Sequence, residues 1–438
     1  MASTGLSKTF SSGNRKTWTW SGWIKRGSGL GGDHALFSTG TYPDLFQFIF
    51  NAPDDCLRAL NYESGTDNLD IYTNARYRDI NGWYHIVLAV DTTQATSSDR
   101  AKLYVNGDQV TSLQASTYPS QNTDLKINLA QAHSVGYRVG NSDQYFDGSM
   151  AHVHFIDGTA YDADTFGETD ATTGIWKPKF GPSVTYGTNG FFLKFENSGA
   201  FGTDSSGNSN NFTVNGTMTQ NIDTPSNVFA TMNPLDNYYS QGTFSNGNCT
   251  YTSNASYYTY NTATFGVSSG KWYWETKLST ANSDNASGIS SYPSLAGTDY
   301  LGSKNYHYNY RSADGKIYNN AVGTTYGSTY TTNDIIGFAL DLDNNKFYVS
   351  KNGTWQNSAD PSAGTNGFSI SNPSSFSGNY FPSFGQQTNV SNTWETNFGN
   401  PTFTISSGNS DGNGFGNFEY APPTNYFSLC SSNLAEYG

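Results

Sequence analysis

Apolar and small polar residues nearly alternate in Thr17-Trp-Thr-Trp-Ser-Gly-Trp-Ile, the period of a strand with one face in a core. Trp18 and Trp20 therefore share that face. Trp83-Tyr-His-Ile-Val-Leu-Ala-Val-Asp is a more continuous apolar run and predicts a central strand. Lys102-Leu-Tyr-Val-Asn-Gly-Asp-Gln-Val reads as a hairpin about Asn106-Gly107, since both turn positions favour positive φ. Val135-Gly-Tyr-Arg-Val-Gly and Gly148-Ser-Met-Ala-His-Val-His-Phe-Ile-Asp-Gly complete the strand set of the first half. In the second half Ile336, Phe338, Leu340 and Leu342 alternate along one strand, Asp343-Asn-Asn turns, and Phe347 and Val349 alternate on the return. No long amphipathic helix interrupts these patterns, so the chain is read as all-β.

Composition narrows this picture. At 438 residues the chain exceeds what one core usually serves, which suggests two domains of roughly 200 residues each. Aromatic residues make up 16% and charged residues 13%, a mixture that suits many short strands and argues against disorder. The net charge of −13 opposes attraction to phosphate backbones and anionic membranes, so no nucleic-acid partner and no membrane insertion are expected. Residues 1–10 lack the basic and apolar segments of a signal peptide, which suggests synthesis in a cytosol without an export signal of its own. Cys56, Cys249 and Cys430 fit neither a disulfide framework nor a metal motif and are read as reduced and buried.

The ordered motifs also carry resemblances. The Trp-rich opening strand, Gly82-Trp-Tyr-His, Leu103-Tyr-Val-Asn-Gly and Phe146-Asp-Gly-Ser-Met-Ala resemble the laminin G, concanavalin A-like lectin superfamily over about residues 1–165. That resemblance implies a jelly roll of two antiparallel sheets. Phe166-Gly-Glu-Thr, Gly174-Ile-Trp-Lys-Pro-Lys, Asp204-Ser-Ser-Gly-Asn and Asp223-Thr-Pro-Ser-Asn resemble the connector that follows such domains in phage structural proteins, especially those of marine phages. The strand from Phe191 to Phe195 should return to the first sandwich. Gly270-Lys-Trp-Tyr-Trp-Glu, Asp314-Gly-Lys-Ile-Tyr, the Asp334–Gly353 hairpin and Tyr380-Phe-Pro-Ser-Phe-Gly resemble a SPRY domain, again an antiparallel sandwich. The expected architecture is two tandem antiparallel β-sandwiches. A lectin-like domain with its connector occupies residues 1–225, a SPRY-like sandwich 226–400, and a packing or assembly segment 401–438. Phe403, Phe415, Phe418, Tyr420, Tyr426, Phe427 and Leu429 in that last segment require cover, although neither sandwich is expected to need it for its core.

Chemistry is sparse. Retaining glycosidases need two carboxylates about 5 Å apart, commonly offered at alternating strand positions. Glu63, Glu168, Glu196, Glu275, Glu395 and Glu419 each stand alone, so no catalytic residues are assigned. Glu275 reads as a structural strand residue of the SPRY pattern. His152 and His154 alternate but lack an evident third metal ligand. Calcium is the ion the lectin-like resemblance admits, with Asp33, Asp143 and Asp147 the candidate ligands among the loop aspartates. Tyr306, Tyr308 and Tyr310 alternate and, if exposed, form a stacking platform for sugar rings. The resulting expectation is a non-catalytic phage virion protein, a tail fibre or appendage subunit that binds host surface polysaccharide or receptor. A capsid-attached fibre or decoration protein is the alternative, and a polysaccharide-degrading enzyme the minority reading. Its partners would be other virion proteins and further copies of itself, with a trimer favoured.

Overall fold

The computed structural model describes residues 3–171, 174–282, 284–388 and 390–438. The chain divides into two compact units, Met1–Gln220 with Thr224–Ser226, and Asn221–Asp223 with Asn227–Gly438. Among the described residues the only α-helix is Ser431–Tyr437.

The first unit pairs two antiparallel sheets. The larger runs Leu113–Thr117, Thr66–Arg76, Cys56–Glu63, Asp44–Asn51, His34–Thr41, Ala132–Val135, Gly5–Thr9 and Thr213–Asn215. The smaller runs Phe191–Leu193, Gly148–Asp157, Thr17–Arg26, Tyr84–Asp91, Ala101–Val105 and Asp108–Gln109. Alternation in the sequence sets which side chains meet between them. Trp18 and Trp20, both fully buried, meet Phe46 and Phe48 edge to face at 5.3 Å. The Asn106-Gly107 hairpin forms as its turn chemistry requires, with φ of 52° and 91°. Phe191–Leu193 returns to pair with Gly148–Asp157, as its apolar run suggests.

The connector that follows does more than link. Ala163 and Phe166 pack on Val87 and Ile156, with Trp176 and Tyr186 beside them, and so cover the outer face of the smaller sheet. Gly167–Thr169 and Trp176–Pro178 form a separate two-stranded hairpin within this cover.

The second unit is also a sandwich. Its larger sheet follows Thr243–Ser245, Thr250–Thr252, Thr393–Asn397, Lys271–Thr280, Ile335–Asp341, Lys346–Lys351 and Thr354–Trp355. The smaller follows Tyr260–Thr262, Phe381–Gln386, Asn285–Ser290, His307–Arg311, Lys316–Asn319 and Val322–Thr325. Phe338 lies opposite Val349, and Leu340 opposite Phe347, so the alternation read from the sequence becomes the core.

The final segment corrects the expectation that this sandwich closes without it. Phe427–Ser428 adds a parallel strand to Lys271–Thr280, and Leu429 enters the main core of the unit. Phe418 and Tyr426 bury Tyr273 and Tyr348 on the sheet's outer face. Apolar residues alternating with Trp272 and Trp274 left that outer face uncovered, and the tail supplies the missing layer.

Candidate functional site

The tyrosines chosen from the sequence do not form a platform. Tyr308 and Tyr310 share a face of His307–Arg311, but that face is core. Tyr310 is fully buried, stacks on Tyr330 at 5.3 Å and donates its hydroxyl hydrogen to the Ser328 carbonyl. Tyr308 is buried and bonds Ser371 Oγ at 3.1 Å. Tyr306, half-buried, lies just before the strand and meets Tyr292 edge to face at 4.9 Å. The opposite face of the strand is also buried, by His307 and Asn309, so alternation here marks two covered faces and no solvent side.

The aspartates chosen for calcium hold loops together. Asp33 accepts from Asn51 Nδ2 and the Ala52 amide, each at 2.7 Å, and from Gln144 Nε2 at 3.1 Å. Asp143 takes a bidentate pair from Arg138, at 2.7 and 2.5 Å. Asp147 accepts the Gly29 amide at 2.8 Å. Among the described residues no group of three His, Cys, Asp or Glu could hold a metal ion. Each of the three carboxylates already has its own protein donors, and the role these contacts show is that of loop ties.

The histidines are likewise internal. His85 is fully buried, its Nδ1 accepts the Trp176 indole N–H at 3.0 Å, and its Nε2 lies 2.9 Å from Ser21 Oγ. The Trp176 donor fixes the tautomer, so Nε2 carries the hydrogen toward Ser21. His154 bonds the Tyr186 hydroxyl through Nδ1 at 2.9 Å and stacks on Phe192 at 3.9 Å. Burial lowers the basicity of both, His85 to about 3.

Exposed aromatic chemistry lies elsewhere in the first unit. Tyr42 is 67% exposed and stacks on half-buried Tyr62, with centroids 5.2 Å apart and planes within 15°. Two hairpin ends bring them together, after His34–Thr41 and within Cys56–Glu63. Lys126 Nζ pairs with Glu63 at 2.7 Å and Asp44 at 3.4 Å, so one cation offsets part of the acidic charge beside the rings, and Asp67 lies opposite Tyr62 in the strand pair. Tyr62 lies opposite Leu45 on the face of the larger sheet turned from the core, with Gln47 as its diagonal neighbour. Gln47 is 8% exposed, and its Oε1 has no hydrogen-bond partner among the described residues. Farther along the same face, Arg58 grips Asp70 with two bonds of 2.8 Å. The flat exposed ring of Tyr42, backed by Tyr62, suits a ligand with C–H faces that can stack on it.

Residues 4–164 match the laminin G family described as the concanavalin A-like lectin/glucanases superfamily, and residues 271–401 match the SPRY domain. The chain carries a laminin G-like domain followed by a SPRY domain. Similar solved structures include the SPRY domain of human HERC1, 17% identical, covering 40% of this chain and 99% of that one at a TM-score of 0.30. Stonustoxin is 18% identical, covering 38% of this chain and 27% of its own at 0.28. The PSpry domain of TRIM65 is 14% identical, covering 38% and 91% at 0.29. No curated protein matches the chain.

In the SPRY domain, Glu275 occupies a structural site. It is fully buried and accepts from the Tyr273 hydroxyl and the Tyr420 and Glu419 amides at 2.8–2.9 Å, and from Asn397 at 3.4 Å. In the laminin G-like domain, sequence reasoning missed Tyr42 and Tyr62. Their signal was modest: a tyrosine before Pro43 in a turn, and a second tyrosine on the polar register of Cys56–Glu63.

Proposed function

We propose that this protein is a non-catalytic structural component of a bacteriophage virion, a tail fibre or appendage subunit that binds host surface glycan through its laminin G-like domain. The observation that carries the binding role is the exposed Tyr42–Tyr62 stack, since the other candidate groups hold the fold together. Glu275, the one glutamate set in a strongly perturbed environment, faces four donors and no open surface. The phage assignment rests on the likeness of the connector sequence to those of phage structural proteins. Virion appendages follow particle symmetry, so the working assembly is a homotrimer.

Immunogold labelling of purified particles with antibody to this chain tests the role. Label at the tail end is expected. Label spread over the capsid would replace attachment with decoration, and unlabelled particles would overturn the virion assignment.

A further inference from the structure

We propose a second ligand site, for a neutral sugar, in a cleft of the C-terminal segment that lies outside both matched domains. The cleft has a volume of about 480 Å³ and is built wholly from residues 410–437, whereas the SPRY match ends at residue 401. That volume falls within the usual range of small-molecule sites. Its apolar wall combines Pro422 and Pro423 with Phe427 and Tyr437, whose rings stack at 3.9 Å within 6° of parallel. Its polar wall offers Asn413, Thr424 and Asn425, all exposed.

The walls are held before any ligand arrives. Asp411, buried beneath the cleft, accepts from the Asn413 and Phe415 amides, the Ser428 amide and hydroxyl, and Asn433 Nδ2, at 2.7–3.0 Å. One carboxylate thus ties together the three stretches that form the walls. Asn413 Nδ2 also reaches Asn433 Oδ1 at 2.9 Å and the Tyr437 hydroxyl at 3.4 Å. Little ordering remains to be done on binding.

The lining selects the ligand's charge. Among the described lining residues there is no lysine or arginine to meet a phosphate or uronate. The carboxylate of Asp411 is already fully hydrogen-bonded, so a cationic ligand finds no free anion. Amide and hydroxyl groups facing aromatic and proline surfaces instead match a pyranose ring, polar at its edge and apolar across its face. This site is independent of the Tyr42–Tyr62 platform.

Gly412 allows the site to be closed without disturbing it. Its φ lies outside the left-handed region, and a Cβ there would meet only a Phe427 ring carbon, at 3.8 Å. The test titrates the full-length protein, ¹⁵N-labelled, with N-acetylglucosamine, methyl α-mannopyranoside and glucuronic acid. At least one neutral sugar should shift the amides of Gly412, Asn413, Thr424 and Asn425, and glucuronate should not. Gly412→Trp should abolish the shifts at an unchanged melting temperature, Asn413→Ala should weaken binding severalfold, and Tyr42→Ala should leave these shifts intact. Absence of shifts with both neutral sugars, an equal response to glucuronate, or shifts that persist in both Gly412→Trp and Asn413→Ala would overturn the proposal. Loss of host-glycan binding in Tyr42→Ala with these shifts retained would separate this site from the platform.

Discussion

Glu275 faces four hydrogen-bond donors, yet burial outweighs them and pushes its carboxyl up to about 6. An acid whose folded value lies above its ordinary value of 4.5 stabilises the fold below that ordinary value, and the contribution is lost as pH rises through about 6. Urea denaturation should therefore show the stability difference between wild type and Glu275→Gln shrinking by about 2 kcal/mol from pH 4.5 to pH 7. A difference independent of pH would contradict this. His85 responds in the opposite sense. Burial lowers it from 6.5 to about 3, so its contribution is present above 6.5 and is lost as pH falls toward 3. Amide exchange in Tyr84–Asp91, corrected for its intrinsic rate, should accelerate as pH falls below 6.5, and constant protection down to pH 4 would refute the assignment. The sequence made Glu275 legible as a structural residue because its neighbours carry the SPRY pattern. It could not show that Tyr308 and Tyr310 are core, because period two places residues on a common face without saying whether another layer covers it.

The elements outside the sheets prove as structural as the strands. Trp176, in the connector hairpin, gives its indole hydrogen to His85 and packs over the smaller sheet of the laminin G-like domain. Trp176→Ala removes that cover and leaves His85 Nδ1 buried without its donor, which should cost about 2 kcal/mol, measured by thermal unfolding. An unchanged melting temperature would show the connector to be a passive link. The C-terminal segment has the same character in the SPRY domain. Truncation after Gly399 removes Leu429 from the core, the parallel strand Phe427–Ser428, and two of the amides that satisfy Glu275. The truncated chain should lose the cooperative unfolding transition of its second domain, and Asp411→Ala alone should cost about 3 kcal/mol. A truncated protein that retains both transitions would restore the reading of this segment as an assembly tail. The apolar content of residues 403–429 was legible as needing cover. Which surface it covers was not, since that follows from the exposed outer face of a sheet assembled from distant strands.

At the scale of the molecule, the alternation around Trp18, Phe338 and Phe347 makes two sandwiches readable from the sequence, and the domain matches agree. The proposed ligand surface was less legible because it joins residues 20 positions apart, Tyr42 and Tyr62, through two separate hairpin ends. The outer face of the larger sheet of the laminin G-like domain offers stacked rings, with Lys126 paired to the neighbouring Glu63 and Asp44. Sugar stacking on tyrosine depends on an exposed ring face, so removal of either ring should weaken binding by tenfold or more, corresponding to about 1.4 kcal/mol. The most direct measurement is binding of the intact protein and of Tyr42→Ala and Tyr62→Ala to an array of bacterial surface polysaccharides, with reducing ends assayed in the same wells. Specific binding by wild type, lost in both variants without release of reducing ends, is the predicted result. Binding that survives both substitutions, or polysaccharide cleavage by wild type, would contradict the account.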